Sequence, residues 1–340
     1  MAPVATRRAG AATGFFMNAY RGQSLISCLL ALALMLVVGP FASEAQADEL
    51  DQIRIGTAHR ALFDIAADGD QLYAVGAIGT VLSSQDAGAT WVTESSDSDL
   101  ALLGVAATAT NQLAVGQTGL VLRRNGEGHW ERVATDTDQR LMAVDVADDG
   151  VAVAVGSFGA MLRSPDGGRS WAAVTNDWEA MVEDGFEPHL YGVQAWPGGV
   201  FCVVGEYGLI LRSDDHGKTW TKVNGGEASL FAVQIAEDGD GYAVGQTGTV
   251  LRTRDAGQSW TPIKVPSDAN LLGVSQTASG EVVIPGMRDM LVSQDDGASW
   301  QQVSDEDISR IWYLGAAAAR GNKVIVVGQT ERIASIGPGG

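Results

Sequence analysis

Short apolar segments alternate with glycine-rich polar turns along most of the chain. Residues 102–105 and 119–122 show the pattern, since each is a brief run of small or branched apolar residues next to turn residues. Apolar segments of this length, with turn signals about every 8–12 residues, are typical of strands rather than helices. The pattern therefore predicts an all-β fold.

The pattern repeats with a period of about 40 residues. Six tryptophans mark the period at spacings of 39, 41, 49, 40 and 40 residues: Trp91, Trp130, Trp171, Trp220, Trp260 and Trp300. The apolar residues that open each unit fall on the same period, near residues 62, 102, 141, 190, 230, 271 and 311. Seven units of four short strands each predict a seven-bladed β-propeller.

The two ends of the repeat array predict how the ring closes. The seventh unit stops before its tryptophan strand, whereas residues 50–57 precede the first unit without a unit of their own. We expect this N-terminal segment to supply the outer strand of the last blade, which leaves no unpaired sheet edge between the first and last blades. The predicted propeller spans residues 48–340.

One turn motif, [ST]-x-D-x-G-x-[ST]-W, joins the third and fourth strands of most units. It occurs at residues 84–91, 164–171, 213–220, 253–260 and 293–300, with a shortened version at 124–130. Its aspartate accepts backbone N–H groups, its glycine supplies a positive φ, and its tryptophan packs between sheets. We interpret these pairs as structural: Asp86 with Trp91, Asp166 with Trp171, Asp215 with Trp220, Asp255 with Trp260, and Asp295 with Trp300.

These turns are Asp-box, or BNR, repeats. Together with the A-V-G-x-x-G-x-[VIM]-L-[RS] stretch before them, at residues 74–83, 114–123, 154–163 and 243–252, they make the chain resemble the photosystem II assembly and stability factor propellers. Residues 284–289 depart from this pattern because they lack its second glycine. The resemblance implies a non-enzymatic scaffold that assists a membrane protein complex. Its partners would be photosystem II subunits or, in a non-photosynthetic source, an envelope transporter or another complex.

Charge and the N-terminal segment narrow the function classes. The 41 acidic and 22 basic residues give a formal net charge of −19, which argues against nucleic-acid binding.

Three arginines, an apolar run over residues 25–38 and Ala-x-Ala at 45–47 predict a secretory signal peptide over residues 1–47. The alternative is an uncleaved anchor. We expect an exported monomer in the periplasm, or in the thylakoid lumen of a photosynthetic source, with membrane association if the anchor is retained.

A catalytic role is the main alternative. A sialidase-like or glycosidase-like hydrolase would use paired carboxylates or a tyrosine nucleophile, and the chain has many acids. Most of them, however, fall in hairpin turns, the histidines show no ligand spacing, and no calcium-loop pattern occurs. We therefore predict no enzyme activity, cofactor or metal. A soluble propeller that binds glycans or peptides is the third hypothesis.

Three groups of residues are candidate partner contacts. Segments entering the inner strands carry Arg60, Arg140, His189 and Arg310, which form either a polar recognition ring or ordinary solvated loops. The longest tryptophan spacing places Trp178 and Phe186 in an insertion over residues 176–189, either as partner contacts or as a flap over its own blade. One arginine per unit recurs at Arg123, Arg163, Arg212 and Arg252. The resemblance implies a partner-binding arginine surface there, and the alternative is a repeated ion pair with nearby turn carboxylates.

Overall fold

Seven four-stranded antiparallel sheets make up the protein in the computed structural model, which describes residues 50–182 and 185–337. The predicted signal peptide lies outside the described residues. Each sheet is one blade, and in blades 1–6 its four strands follow in chain order from the inner edge to the outer edge. The predicted seven-bladed all-β propeller is confirmed.

The first four blades follow the sequence units. Blade 1 contains β2 (Leu62–Asp68), β3 (Gln71–Gly76), β4 (Val81–Ser84) and β5 (Val92–Glu94). Blade 2 contains β6 (Leu102–Ala107), β7 (Gln112–Gly116), β8 (Val121–Arg124) and β9 (Trp130–Val133). Blade 3 contains β10 (Leu141–Val146), β11 (Ala152–Gly156), β12 (Met161–Ser164) and β13 (Ala172–Ala173). Blade 4 contains β14 (Leu190–Trp196), β15 (Val200–Gly205), β16 (Ile210–Ser213) and β17 (Thr221–Asn224).

The remaining blades have the same four-strand plan, with short inner and outer strands in blade 6. Blade 5 contains β18 (Leu230–Ile235), β19 (Gly241–Gly245), β20 (Val250–Thr253) and β21 (Thr261–Ile263). Blade 6 contains β22 (Ser275–Gln276), β23 (Val282–Pro285), β24 (Met290–Ser293) and β25 (Gln301–Gln302). Blade 7 contains β26 (Tyr313–Ala319), β27 (Lys323–Gly328) and β28 (Arg332–Ile336), together with β1 (Asp51–Arg54). One short helix, α1 (Trp178–Met181), and two 3-10 turns, Gln117–Gly119 and Gln246–Gly248, complete the described elements.

The N-terminal strand closes the ring as predicted. β1 pairs antiparallel with β28, with Asp51 opposite Ser335 and Gln52 opposite Ala334. Arg54 also forms an ion pair with Glu331 at 2.9 Å. The last blade therefore combines both ends of the array, which covers the edge of β28.

The hydrophobic core is divided among the seven interfaces between neighbouring blades. Six interfaces contain a tryptophan from the outer strand or the turn before it, as Trp220 does between blades 3 and 4. Blade 7 supplies none, and Leu50 and Tyr313 fill the interface between blades 6 and 7 instead. Cys202 lies between blades 4 and 5, where burial raises the pKa of its thiol to about 12. In the described part of the chain, no helix has the length and apolar character of a membrane span.

The Asp-box turns hold themselves together through one carboxylate each. Asp215 accepts hydrogen bonds from the Ser213 hydroxyl at 2.8 Å, from Lys218 N at 3.0 Å and from Thr219 N at 2.9 Å. Its second oxygen accepts the Thr219 hydroxyl at 2.7 Å. These donors outweigh partial desolvation and lower the pKa of Asp215 to about 2. The turn therefore depends on an ionised aspartate.

We expect Asp215→Ala to lower the free energy of unfolding by about 1–3 kcal/mol, because it leaves several turn donors without an acceptor. Chemical denaturation at pH 7 measures the change. The matched control is Asp214→Ala, which removes the same charge from a side chain that is 67% exposed and pairs with Arg212. An equal or larger loss from the control would contradict the structural role of the Asp-box carboxylate.

Candidate functional site

One end of the propeller is built from the seven turns between the second and third strands of the blades. Each turn bonds to the segment that enters an inner strand; in blade 2, Gln117 N donates to Ala101 O at 3.1 Å and Gly119 N to Gln139 O at 2.8 Å. Gly119 has φ +65°, and a Cβ there would lie 1.9 Å from Thr137 O, which explains the second glycine of the repeat. We call this end the loop face.

Each turn of the loop face has a tip residue in the left-handed region. The tips are Ile78, Thr118, Phe158, Tyr207, Thr247, Arg288 and Thr330, with φ between 52° and 60°. Ile78, Phe158 and Tyr207 are also 53%, 58% and 52% exposed. Bulky residues rarely adopt this conformation because Cβ approaches the backbone, at a cost of about 1–2 kcal/mol. These positions combine backbone strain with an apolar side chain in water.

Two of these tips belong to aromatic pairs on blades 3 and 4. The rings of Phe158 and His189 meet edge to face at 4.7 Å, and those of Phe186 and Tyr207 meet at 5.0 Å. Phe158 N also donates to His189 Nδ1 at 3.2 Å. We call Phe158, Phe186, His189 and Tyr207 the aromatic patch.

The described parts of the insertion, residues 176–182 and 185–189, fold back on blades 3 and 4. Trp178 packs with the core of this interface and lies against the backbone of Gly159. Lys222 of blade 4 donates from Nζ to Met181 O at 2.8 Å. Phe186 remains 37% exposed beside Tyr207. Trp178 is therefore part of a flap, and Phe186 is the member of the predicted pair that the structure places on the surface.

The four polar residues at the inner-strand entries do not form one cluster. Arg60, Arg140 and Arg310 are exposed, whereas His189 is half-buried in the aromatic patch. They belong to four different entry segments, and no hydrogen bond or ion pair joins any two of them within the described residues. Arg310 pairs instead with Glu306.

The repeated arginines lie between blades, near the Asp-box turns. Each donates to the carbonyl of the same turn position in the next blade: Arg123 Nε to Gly167 O at 2.9 Å, Arg163 Nε to His216 O at 2.6 Å, Arg212 Nε to Ala256 O at 3.1 Å and Arg252 Nη1 to Asp296 O at 2.8 Å. Arg252 is only 7% exposed and also pairs with Asp240 and Asp296. These contacts favour a structural role for the series over a free basic surface.

The inner strands of all seven blades surround a central channel of about 650 Å³. Asp64 bridges blades 1 and 2 by accepting Ile65 N and Val105 N, both at 2.9 Å. Asp145 accepts Val146 N at 2.8 Å and Ala195 N of blade 4 at 2.7 Å. Burial raises the pKa of Asp64 to about 7 and that of Asp145 to about 6, against the lowering effect of these hydrogen bonds.

Sequence reasoning assigned no role to the channel acids. Most acids of the chain lie in turns, but Asp64 and Asp145 each interrupt an apolar inner strand. A charged residue within an apolar strand is unusual, and this could have marked both acids as special in the sequence. Within residues 50–182 and 185–337, no three His, Cys, Asp or Glu side chains are grouped to hold a metal ion.

Comparison with known proteins agrees with the repeat geometry. The family model for the photosynthesis system II assembly factor YCF48 matches residues 123–228. This match covers less than half of the chain and agrees with the BNR-type repeats seen in the sequence. A second family model, described as sortilin, neurotensin receptor 3, matches residues 208–334 of this propeller. No curated protein sequence matches the chain.

Solved structures show the same fold at low sequence identity. A structure of YCF48 bound to D1 peptide is 18% identical, with a TM-score of 0.66 over 86% of this chain and 95% of that chain. YCF48 from Cyanidioschyzon merolae gives the same identity and TM-score over 86% of this chain and 99% of that chain. The GH74 xyloglucanase from Xanthomonas campestris is 16% identical, with a TM-score of 0.65 over 84% of this chain and 53% of that enzyme. One fold thus serves both a peptide-binding protein and a hydrolase.

Proposed function

We propose that the protein is a non-enzymatic, exported scaffold that assists the assembly or stability of a membrane protein complex. It acts by holding an extended segment of a client subunit against its loop face. The observation that carries this proposal is the pairing of strain and exposure at Phe158 and Tyr207 in the aromatic patch.

The aromatic patch keeps strained, exposed apolar residues at positions where the fold accepts other residues. Equivalent tips in blades 2 and 5 are Thr118 and Thr247, so the turn itself does not require an aromatic residue. Exposed apolar surface marks interaction sites, and strained residues persist where function retains them. A surface with such residues on two adjacent blades suits a partner segment that crosses both.

The class of partner is inferred from the comparisons. YCF48 has been solved with a D1 peptide, and the matching family model describes an assembly factor. We extend this to the present chain as a membrane-protein segment outside the cytoplasm, which the N-terminal signal-like sequence also supports. Photosystem II is the client if the source is photosynthetic, and a transporter or another envelope complex takes its place otherwise.

We expect Phe158→Gly together with Tyr207→Gly to abolish recovery of the client while changing the free energy of unfolding by less than about 1 kcal/mol. Glycine adopts the positive φ without strain, which offsets its greater entropy in the unfolded chain. The measurement is in-cell crosslinking of the tagged protein, followed by mass spectrometry of solubilised membranes.

The matched control is Thr118→Gly with Thr247→Gly, which alters the same turn position on blades 2 and 5. It should leave client recovery intact. Recovery of the wild-type protein without any integral-membrane partner would overturn the scaffold proposal. If the aromatic double variant recovers the client as well as the wild-type protein does, the aromatic patch is not the client-binding surface.

Glycoside hydrolysis is a second candidate, favoured by the two channel carboxyls with raised pKa values and by the xyloglucanase fold match. Every carboxyl oxygen of Asp64 and Asp145 already accepts a backbone N–H, which supports a structural use of both groups. Incubation with xyloglucan oligosaccharides and sialosides tests the candidate. Turnover that is lost in Asp64→Asn or Asp145→Asn would establish it in place of the scaffold.

A further inference from the structure

We propose that the central channel is a binding pocket for a lysine side chain carried by an extended client segment. The lysine stem would pass through an apolar collar at the loop face, and its ammonium group would reach hydrogen-bond acceptors deeper in the channel. This inference rests on the proposed function only for the source of the lysine, since the pocket itself is argued from the channel walls.

The collar is formed by the second residue of each inner-strand segment. All seven are apolar or aromatic, all line the channel, and all are partly exposed to it: Phe63, Leu103, Met142, Tyr191, Phe231, Leu272 and Leu314. The inner strands start at the loop face, so the collar lies near the mouth of the channel. It would shield an alkyl stem from water.

The collar is continuous with the aromatic patch. His189 contacts Tyr191 at 6.3 Å between ring centroids, and Tyr191 meets Phe231 edge to face at 5.3 Å. A row of aromatic rings therefore runs from Phe158 on the surface to the channel wall. A peptide held on the patch can turn one side chain into the channel.

Below the collar, the channel wall carries side chains with acceptor oxygens. Asp64, Asp145, Gln234 and Gln276 all line it, and Arg140 is the one basic residue among the described lining residues. Gln276 is 9% exposed, and its Oε1 accepts no hydrogen bond in the described structure, although its Nε2 donates to Asp296 at 2.9 Å. The Oε1 atom of Gln234 is likewise shielded and without a donor. Buried acceptors of this kind call for a donor from elsewhere.

The depth of the two carboxyls fits lysine. Asp64 lies one residue beyond the collar and Asp145 three residues beyond it, or roughly 3 and 10 Å at the rise of a strand. A lysine stem of five bonds spans about 6 Å, which places an ammonium between these levels when its Cα is at the collar. The acceptors come from different blades, and an ammonium with three rotatable donors can serve several directions at once.

The two carboxyls also give the pocket a pH dependence. Burial, and for Asp64 also the charge of Asp145, keeps them partly protonated near neutral pH. The other titratable groups of the described channel wall are Arg140 at the mouth and the phenol of Tyr191. An ammonium attracts the ionised carboxylates, so binding should release protons and weaken as the pH falls below about 6.

The test uses the whole protein and three blocked or open peptides. Acetyl-Phe-Lys-Phe-amide carries the lysine, its Nε-acetyl-lysine version removes only the charge, and Phe-Gly-Phe-amide offers an amino terminus instead. Binding is followed by NMR at pH 8 and pH 5 through the amides of Val105, Val146 and Ala195, which donate to the two carboxylates. We expect the lysine peptide alone to shift these amides, with at least tenfold weaker binding at pH 5.

Asp145→Asn keeps one acceptor and removes the charge, and should weaken binding of the lysine peptide at pH 8 by fivefold or more. The control Asp136→Asn makes the same charge change at an exposed position. Equal binding of the acetylated peptide, preference for the open peptide, or shifts confined to residues outside the channel would each overturn the proposal. Client recovery is measured separately, so a failed pocket and a failed scaffold give different results.

Discussion

Removing the closing strand should destabilise the protein more than any single substitution. A chain without residues 50–57 is expected to lose roughly 4 kcal/mol or more of its unfolding free energy, from buried apolar area, strand pairing and an ion pair together. The deletion exposes the edge of β28, removes Leu50 from the interface of blades 6 and 7, and leaves Glu331 buried without Arg54. It also removes the Gln52 amide that donates to the Tyr313 hydroxyl at 3.2 Å.

Thermal unfolding of the chain from residue 48 onward, with and without residues 50–57, measures this effect. The control is a permuted chain in which residues 50–57 follow residue 337 through a flexible linker, so that the same strand can pair with β28. It should recover most of the lost Tm, because only the connection has changed. A deletion with an unchanged Tm, or a permuted chain as unstable as the deletion, would contradict closure by this strand.

The fold could be predicted because its determinants are local and repeated. Each Asp-box turn needs an aspartate, a glycine and a tryptophan within eight residues, and each appears in the sequence at the blade period. Closure of the ring could be predicted because the seventh unit lacks one strand and the N-terminal segment can supply it. The structure adds that Leu50 and Tyr313 take the place of the missing tryptophan at the last interface.

The candidate site was harder to predict because it depends on contacts between units. The arginine at the end of each third strand was visible, but its acceptor lies 44 residues away for Arg123 and 53 residues away for Arg163. Phe158 and Tyr207 carry no sequence signal of positive φ, which only the turn geometry reveals. Trp178 and Phe186 are close in sequence, but they lie on opposite sides of the flap. Trp178 packs against the core, whereas Phe186 stays exposed.

Stability should rise as the pH is lowered from 8 to about 5 and then fall below pH 4. The folded pKa values of Asp64 and Asp145, about 7 and 6, lie above the ordinary value of 3.8, so both groups bind protons more tightly in the folded state. Their contribution is therefore fully present below pH 3.8 and is lost as the pH rises through 6 and 7. The shift of Asp64 corresponds to about 4 kcal/mol at most.

The Asp-box aspartates act in the opposite direction. Their hydrogen bonds lower the pKa below 3.8, to about 2 for Asp215, so their contribution is present above pH 3.8 and is lost as the pH falls toward 2. The channel aspartates and the Asp-box aspartates together place the maximum of the unfolding free energy at about pH 4–5. Channel acids and turn acids thus set the upper and lower limits of one stability window.

Thermal unfolding from pH 3 to pH 8 tests the channel acids directly. Asp64→Asn with Asp145→Asn should flatten the change in Tm between pH 5 and pH 8 while keeping the loss below pH 4. Its absolute Tm should also fall, because each asparagine offers only one acceptor to two backbone N–H groups. The control, Asp136→Asn with Asp138→Asn, makes the same charge change at exposed positions and should preserve the slope. A wild-type Tm that falls between pH 8 and pH 5, or a channel variant that retains the wild-type slope, would show that other groups govern stability in this range.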